Sequence, residues 1–348
     1  VDWAGNIKKL KLKIETTGTK LVDMNGESAL DSATGIIKES AQTFWSLNAD
    51  GPEVTEGGIG EVLAKTNPAS RRIFFDTADT RELTKLENCN IAESSFGVEE
   101  KNEIYEAFGV ADVDACDRQI KWAYGIDSYD QDGDGEDTDV RNWILGDILH
   151  SRPLVINYGA RGSYSNSNPD IRILAGTNAG FFHMFKNDTG KESWAFLPRE
   201  LVPVLSERRR NRVSAEKIYG VDGSASIFTI DKSNDGTINH TDGDKVWVFF
   251  GLRRGGSSYY ALDISDPENP KFMWSINPSS EGFSELGQTW STPIVTSIPG
   301  HNQTDGKPRP VLIFGAGYDT NKDDLGIATP DASGRGIFIV DAETGTLV

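Results

Sequence analysis

The chain has 348 residues, 37% of them hydrophobic, with 36 glycines and a formal net charge of −18. That length holds one large β domain or two ordinary ones, and the composition is that of a turn-rich globular chain, not a disordered one. The excess of Asp and Glu argues against a nucleic-acid partner, which clustered Lys and Arg would have to hold, and no apolar run approaches the roughly 18–20 residues of a membrane-spanning helix. The chain starts at Val1 without an initiator methionine or a signal sequence and stops inside a repeated pattern, so it is read as a fragment of a longer, processed protein.

Residues 6–14 alternate apolar and basic side chains, which predicts a half-exposed strand. From about 20 to 70 the patterning is weak; 28–35 and 39–45 are candidates for short helices, 51–60 for a loop and 71–75 for a strand. Apolar residues at three- and four-residue steps predict helices over 98–108 and 113–124, with Asp112 or Asp114 as N-cap of the second. Cys89 and Cys116 flank helical sequence and are either one disulfide, in an oxidising compartment, or two buried thiols.

From Trp143 onward a repeat appears. One copy runs 153–156, 171–176, 180–185 and a turn at 187–190 leading to Trp194. The next runs 246–251 and 256–263, then a turn and Trp274. The third runs 292–296, 311–315, 336–341 and stops before its tryptophan. Each unit is an antiparallel set of strands with glycine closing an apolar strand. Repetition of such units predicts an all-β chain, a modified β-propeller, with irregular first blades and a helical insertion in 1–142 and regular blades in 143–348. Glycine suits positions where inner strands crowd and a side chain would clash.

Between the strands at 226–230 and 245–250 lies Asp231-Lys-Ser233-Asn-Asp235-Gly236-Thr237-Ile-Asn239-His-Thr-Asp242. Oxygen donors at positions 1, 3, 5, 9 and 12, a carbonyl at position 7 and glycine at 6 follow the spacing of a twelve-residue calcium loop. The flanks are β-branched and aromatic, so the loop sits on a hairpin and not between EF-hand helices. The competing reading is an Asn/Asp/Gly-rich hairpin turn that binds nothing. With Asp231, Asp235 and Asp242 as its only anions, the site is expected to bind at about 10⁻⁷–10⁻⁵ M or more weakly. A second run, Asp130, Asp132, Asp134, Glu136 and Asp139, has the right first three positions but Arg141 at the twelfth, and is either a second calcium site or a solvated acidic linker. A third loop, Asp319 to Asp324, lacks the sixth-position glycine and is read as structural.

The blocks 5–9 (GNIKK), 143–153 (WILGDILHSRP), 221–224 (VDGS), 255–267 (GGSSYYALDISDP), 287–291 (GQTWS) and 315–321 (GAGYDTN), in that order, resemble the C-terminal propeller domain of the PilY/PilC family of type IV pilus tip and biogenesis proteins. The resemblance implies quinoprotein-like blades, a location at the pilus tip or outer membrane after export, and partners among pilin, minor pilins and other pilus-assembly components. It also implies calcium control of pilus extension against retraction, hence of twitching motility, and adhesion to host surfaces through a receptor. The family's calcium site, D-x-[D/N]-x-D-x-x-x-D, falls on Asp231, Ser233, Asp235, Thr237 and Asn239, with Ser233 and Asn239 as departures that remove charge.

Enzyme readings have little support. His150, His183, His240 and His301 are scattered, with no HxxxH pair, and no G-x-S-x-G elbow occurs. His183 is read as a satisfied strand residue. Two alternatives stay open: a host-surface adhesin module, and a PQQ-dependent quinoprotein dehydrogenase, whose axial calcium would be bound by residues scattered over several blades and not by one contiguous loop. The basic cluster 208–212 is expected to make local ion pairs.

Overall fold

The computed structural model describes residues 3–16, 18–76, 83–90, 101–211, 217–303, 306, 308–323 and 329–348. At the N-terminal end β1 (Lys11–Glu15) and β2 (Gly18–Val22) form a hairpin, so the strand expected over 6–14 is confined to its second half. No helix forms over 28–35 or 39–45. Asp23 Oδ1 accepts the Asn25 and Glu27 amides, each at 3.0 Å, and Asp31 Oδ1 accepts those of Ala33 and Thr34. Such local side-chain bonds hold the backbone in turns that compete with a helix. The expected loop at 51–60 instead runs into α1 (Gly58–Ala64), whose Ile59 and Leu63 are fully buried. Its glycines conceal it in the sequence.

β3 (Ile73–Asp76) and β4 (Leu83–Lys85) follow, then α2 (Lys101–Phe108) and α3 (Val113–Tyr124). The predicted start of α2 at 98–100 lies outside the described residues. The bounds of α3 are as predicted, and Asp112 is its N-cap, accepting the Ala115 amide at 2.9 Å, while Gly125 ends it in the left-handed conformation. Cys89 and Cys116 are joined in a disulfide.

The three repeats become three successive sheets. β5 (Leu154–Asn157), β6 (Ile171–Gly176), β7 (Phe182–Lys186) and β8 (Glu192–Leu197) make the first. After α4 (Val202–Arg210) come β9 (Ala225–Ile230), β10 (Lys245–Gly251), β11 (Tyr259–Asp263) and β12 (Lys271–Ile276), the second. β13 (Ile294–Asn302), β14 (Pro308–Gly315) and β15 (Ile337–Asp341) make the third. Within each repeat, pairing is antiparallel between neighbours in sequence. The N-terminal segment extends the first sheet, because β3 pairs parallel to β8 and β4 pairs with β3.

The second sheet is packed on both faces, and strand periodicity sorts its side chains. Val246, Val248 and Phe250 of β10 join a core with the first sheet, while Trp247 and Phe249 join one with the third. Phe182 stacks on Phe250 with centroids 4.2 Å apart, and Tyr259 meets Phe314 at 4.2 Å on the other side. Burial on both faces is why β10 reads as a continuous apolar run instead of an alternating one. Strand-closing glycines mark the junctions: a Cβ on Gly176 would lie 2.4 Å from the Val221 carbonyl, and one on Gly251 2.8 Å from that of Thr289. Among the described residues no helix is long and apolar enough to cross a membrane.

Candidate cation-binding loops

The β9–β10 connection is built around Asp231. Its Oδ2 accepts the Gly236 amide at 2.8 Å, and its Oδ1 the Ser233 hydroxyl at 3.2 Å and the Asp235 amide at 3.4 Å. Asp235 Oδ1 in turn accepts the Thr237 amide at 2.8 Å. Asn234 and Gly236, at φ 55° and 78°, supply the two left-handed residues that the winding needs. The Gly236 amide, then those of Asn234 and Asp235 and the Ser233 hydroxyl, hold the Asp231 carboxyl below its usual range. At the far end Asn239 Nδ2 donates to Asp242 Oδ2 at 2.8 Å, and Asn239 Oδ1 accepts the Thr241 hydroxyl at 2.8 Å.

The acidic run at 130–139 is wound the same way. Asp130 Oδ1 accepts the Gly135 amide at 3.1 Å and Asp134 Oδ1 the Glu136 amide at 2.8 Å. Both loops therefore bond the sixth amide to the first carboxylate and the seventh amide to the fifth, with left-handed residues at the fourth and sixth places, here Gly133 and Gly135. The glycine at position 4 of this run takes the left-handed place that Asn234 fills in the first loop. Carboxylate oxygens of Asp130, Asp132 and Asp134 lie within 4.8 Å of one another; Asp231, Asp235 and Asp242 form no such group. Asp139 Oδ1 is out of solvent without a hydrogen-bond partner. Desolvation, with Asp134 and Asp132 beside it, pushes the Asp139 carboxyl up. Arg141 is turned out of the loop, donating to the Trp122 carbonyl at 3.1 Å with its guanidinium 3.9 Å from that indole ring.

Both donor sets are made of hard oxygens, with no thiol or imidazole, which suits calcium and not zinc. The first loop offers the Asp231 and Asp235 carboxylates, the Ser233 hydroxyl and the Thr237 carbonyl, with Asn239 and Asp242 tied to each other. The second offers three gathered carboxylates and the unpartnered oxygen of Asp139.

Other candidate residues are employed structurally. Asp319 accepts the amides of Asn321, Ala332 and Ser333, and Asp324 lies outside the described residues. His150, His183 and His301 each face a different carboxylate: Asp222 at 2.7 Å, Glu192 at 2.8 Å and Asp341 at 2.8 Å. Burial pushes the His183 imidazole down. In the basic cluster Arg209 donates to Gln119 Oε1 at 2.7 Å and lies over Tyr129, while Arg210 pairs with Glu207 at 2.6 Å; position 212 is outside the described residues.

Two residues escaped sequence reading. Asp244, 3% exposed, closes the base of the first loop, its two oxygens accepting the Lys232 and Asn239 amides at 2.8 Å each. It lies beyond the twelve-residue spacing, and only its position between Gly243 and a strand hints at such a task. Trp45 has φ 73° and its indole donates to the Asn187 carbonyl at 3.1 Å. This is the bond that Trp194 makes to Pro267 and Trp274 to Ala342, at 3.0 Å each.

No family model matches the chain. The chain is similar to the type IV pilus biogenesis factor PilY1 of Pseudomonas aeruginosa strain UCBPP-PA14, 24% identical over 97% of the chain and 28% of the relative's length. It is 30% identical, over 60% of the chain and 17% of the relative, to PilY1 of P. aeruginosa strain PAO1. The PilY1 homolog of Xylella fastidiosa is 30% identical over 45% of the chain and 13% of its own length. The chain thus spans less than a third of the length of these relatives. The crystal structure of the P. aeruginosa PilY1 C-terminal domain aligns over 51% of the chain and 29% of that domain, with 28% identity and a TM-score of 0.33. These relatives bear out the resemblance of the chain to the PilY/PilC family of type IV pilus biogenesis factors.

Proposed function

We propose that this chain is a calcium-binding, non-enzymatic β-propeller segment of a type IV pilus tip or biogenesis protein, carried on the bacterial surface at the pilus tip or outer membrane. The successive face-to-face sheets and their repeated tryptophan contacts support reading them as neighbouring blades. The disulfide fits export to an oxidising compartment. In this reading calcium occupies the loop at 231–242, held by Asp231, Ser233, Asp235 and the Thr237 carbonyl, and also the loop of Asp130, Asp132, Asp134 and Asp139. The carrying observation is the shared winding of the two loops, in which backbone amides orient the first and fifth carboxylates.

Calcium shifts only states that it binds unequally. Here it favours the wound loop and so biases how the protein engages pilin, minor pilins and the assembly machinery, setting extension against retraction and surface adhesion. The test is calcium titration of the parent chain, Asp231→Ala and Asp130→Ala, with piliation and twitching scored in cells carrying the same substitutions in the full protein. Each substitution is expected to remove one binding event, and loss of twitching is expected with Asp231→Ala. Unchanged calcium stoichiometry in both variants refutes the metal assignment; unchanged piliation and twitching refute its role.

A further inference from the structure

The loop at 231–242 does not project freely from its hairpin, because its middle is seated on the first sheet. A Cβ built on Gly159 would lie 2.3 Å from the Gly236 carbonyl oxygen and 2.7 Å from Thr237 Cα, so two backbones touch where no side chain fits. One residue further, the Ile238 amide donates to the Tyr158 carbonyl at 2.9 Å. The Ile238 side chain, 4% exposed, enters the core that the first and second sheets share.

Tyr158 and Gly159 are themselves held from two more directions. The Tyr158 hydroxyl donates to the Ile264 carbonyl at 2.7 Å, in the turn that follows β11 of the second sheet. The Tyr158 amide donates to the Asp170 carbonyl at 2.8 Å, and the Asp170 amide to the Gly159 carbonyl at 2.9 Å. Gly236 and Thr237 are the sixth and seventh loop positions. Their amides are bound by Asp231 and Asp235, so the segment 236–238 has the cation ligands on one side and the neighbouring sheet on the other.

We propose that Tyr158 and Gly159 are positioning residues of this cation loop, and that divalent-cation binding there is coupled to docking of the first sheet on the second. The inference rests on the calcium reading of the loop given above. The coupling is reciprocal by linkage. A cation that favours the wound backbone at 236–238 also favours its seat on Tyr158–Gly159, and disturbing that seat weakens the cation.

The experiment uses the whole chain carrying Asp130→Ala and Asp132→Ala, which silences the second acidic loop, with calcium alone as ligand. Titration calorimetry of this background measures binding at the loop. Hydrogen exchange then reads the Asp170 amide, which reports the seat without altering it and belongs to a segment with no proposed ligand. Saturating calcium is expected to slow its exchange about tenfold, and Gly159→Val to weaken calcium binding about tenfold, both within the usual range of coupling between sites. Tyr158→Phe, which keeps the ring and loses only the hydroxyl bond, is expected to weaken binding about threefold. If calcium binds the background and Asp170 exchange does not change, the coupling is overturned while the calcium reading stands. A folded Gly159→Val chain that binds calcium as tightly as its background overturns the coupling equally; should that variant not fold, the exchange measurement decides. A background that binds no calcium overturns both.

Discussion

The indole nitrogen of Trp274 donates to the carbonyl of Ala342 at 3.0 Å, joining the last strand of the second sheet to the turn that follows β15 in the third. Gly345, at φ 74°, lies against the ring, and a Cβ there would sit 2.8 Å from Trp274 Cδ2. The contact recurs along the chain. Trp194 of β8 donates into the turn after β11, and Trp45 donates into the turn after β7, with Gly190 against its ring. Each tryptophan thus ties one unit to the turn after the third strand of the next. The left-handed backbone of Trp45 is a strained feature that this docking holds in place.

Replacing Trp274 with phenylalanine keeps most of the apolar contact but leaves the Ala342 carbonyl without its donor. The expected loss is about 1–3 kcal/mol, read as a lower urea midpoint. Gly345→Ala should act in the same direction, since it adds a side chain where both the backbone conformation and the indole oppose one. Midpoints equal to the parent for both variants would show that the tryptophan contact does not hold the sheets together.

Arg71, Glu192 of β8 and His183 of β7 form a buried polar cluster in the first sheet. Arg71 Nε and Nη2 reach the two Glu192 oxygens at 2.8 and 3.1 Å, and His183 Nδ1 lies 2.8 Å from Oε1. Burial alone would raise the Glu192 carboxyl, but Arg71 and His183 outweigh it and hold the group down at about 2. A depressed carboxyl contributes stability above its ordinary value of 4.5 and loses it as pH falls through about 2. Glu192→Gln leaves the Arg71 guanidinium buried without its counter-charge, at an expected cost of about 3–5 kcal/mol in denaturant unfolding at pH 7. The difference from the parent should shrink below pH 4.5.

The repeat made the sheets legible, because each strand carries its own apolar run and closing glycine. Helix α3 was legible from its spacing and from Asp112. The region 20–70 was not: Asp23 and Asp31 spend their carboxylates on nearby amides, and no periodicity records that. The parallel pairing of β3 with β8 joins residues about 120 apart and leaves no local mark. In the candidate loops, spacing identified Asp231, Ser233 and Asp235. What spacing could not convey is that Asn239 and Asp242 bond to each other, or that the acidic run at 130 shares the same winding. Gly159 looked like any loop glycine, and its purpose is visible only against Gly236.

Asp76 sits in the opposite electrostatic situation to Glu192. Burial raises its carboxyl to about 6, opposed by the Arg199 amide, which donates to its Oδ1 at 2.7 Å. A raised carboxyl contributes stability below its ordinary value of 3.8 and loses it as pH rises through about 6. Asp76→Asn keeps an acceptor for the Arg199 amide and cannot ionise. The variant should exceed the parent by about 3 kcal/mol at pH 7.5 and match it near pH 4. A constant difference across that range would mean that Asp76 does not titrate as described.

The Cys89–Cys116 bond spans 27 residues, connecting the segment after β4 to α3. Constraining a loop of that length in the unfolded chain stabilises by about 3–4 kcal/mol in the chain-entropy model. The double variant Cys89→Ser, Cys116→Ser should therefore melt lower by a margin that reductant also produces in the parent, and reductant should leave the variant unchanged.

Asp244 and Asp231 stand at the same loop but should fail differently when removed. Asp244 is buried and bonds two backbone amides whether or not a cation is present, so Asp244→Ala leaves both amides without their acceptor. Its expected cost is about 1–3 kcal/mol in metal-free buffer, with weaker calcium binding as a consequence of the loosened base. Asp231 is only half-buried and its bonds to the Gly236 and Asp235 amides lie at the solvent-exposed surface, where water can replace them. Asp231→Ala should therefore change metal-free stability by less than about 1 kcal/mol and reduce the rise in melting temperature that calcium gives the parent to the part the loop at 130–139 supplies. Thermal melts of the three chains with calcium and with chelator separate the two roles. If Asp231→Ala is the variant that destabilises the metal-free chain, its carboxylate is a structural cap of the hairpin and not a cation ligand.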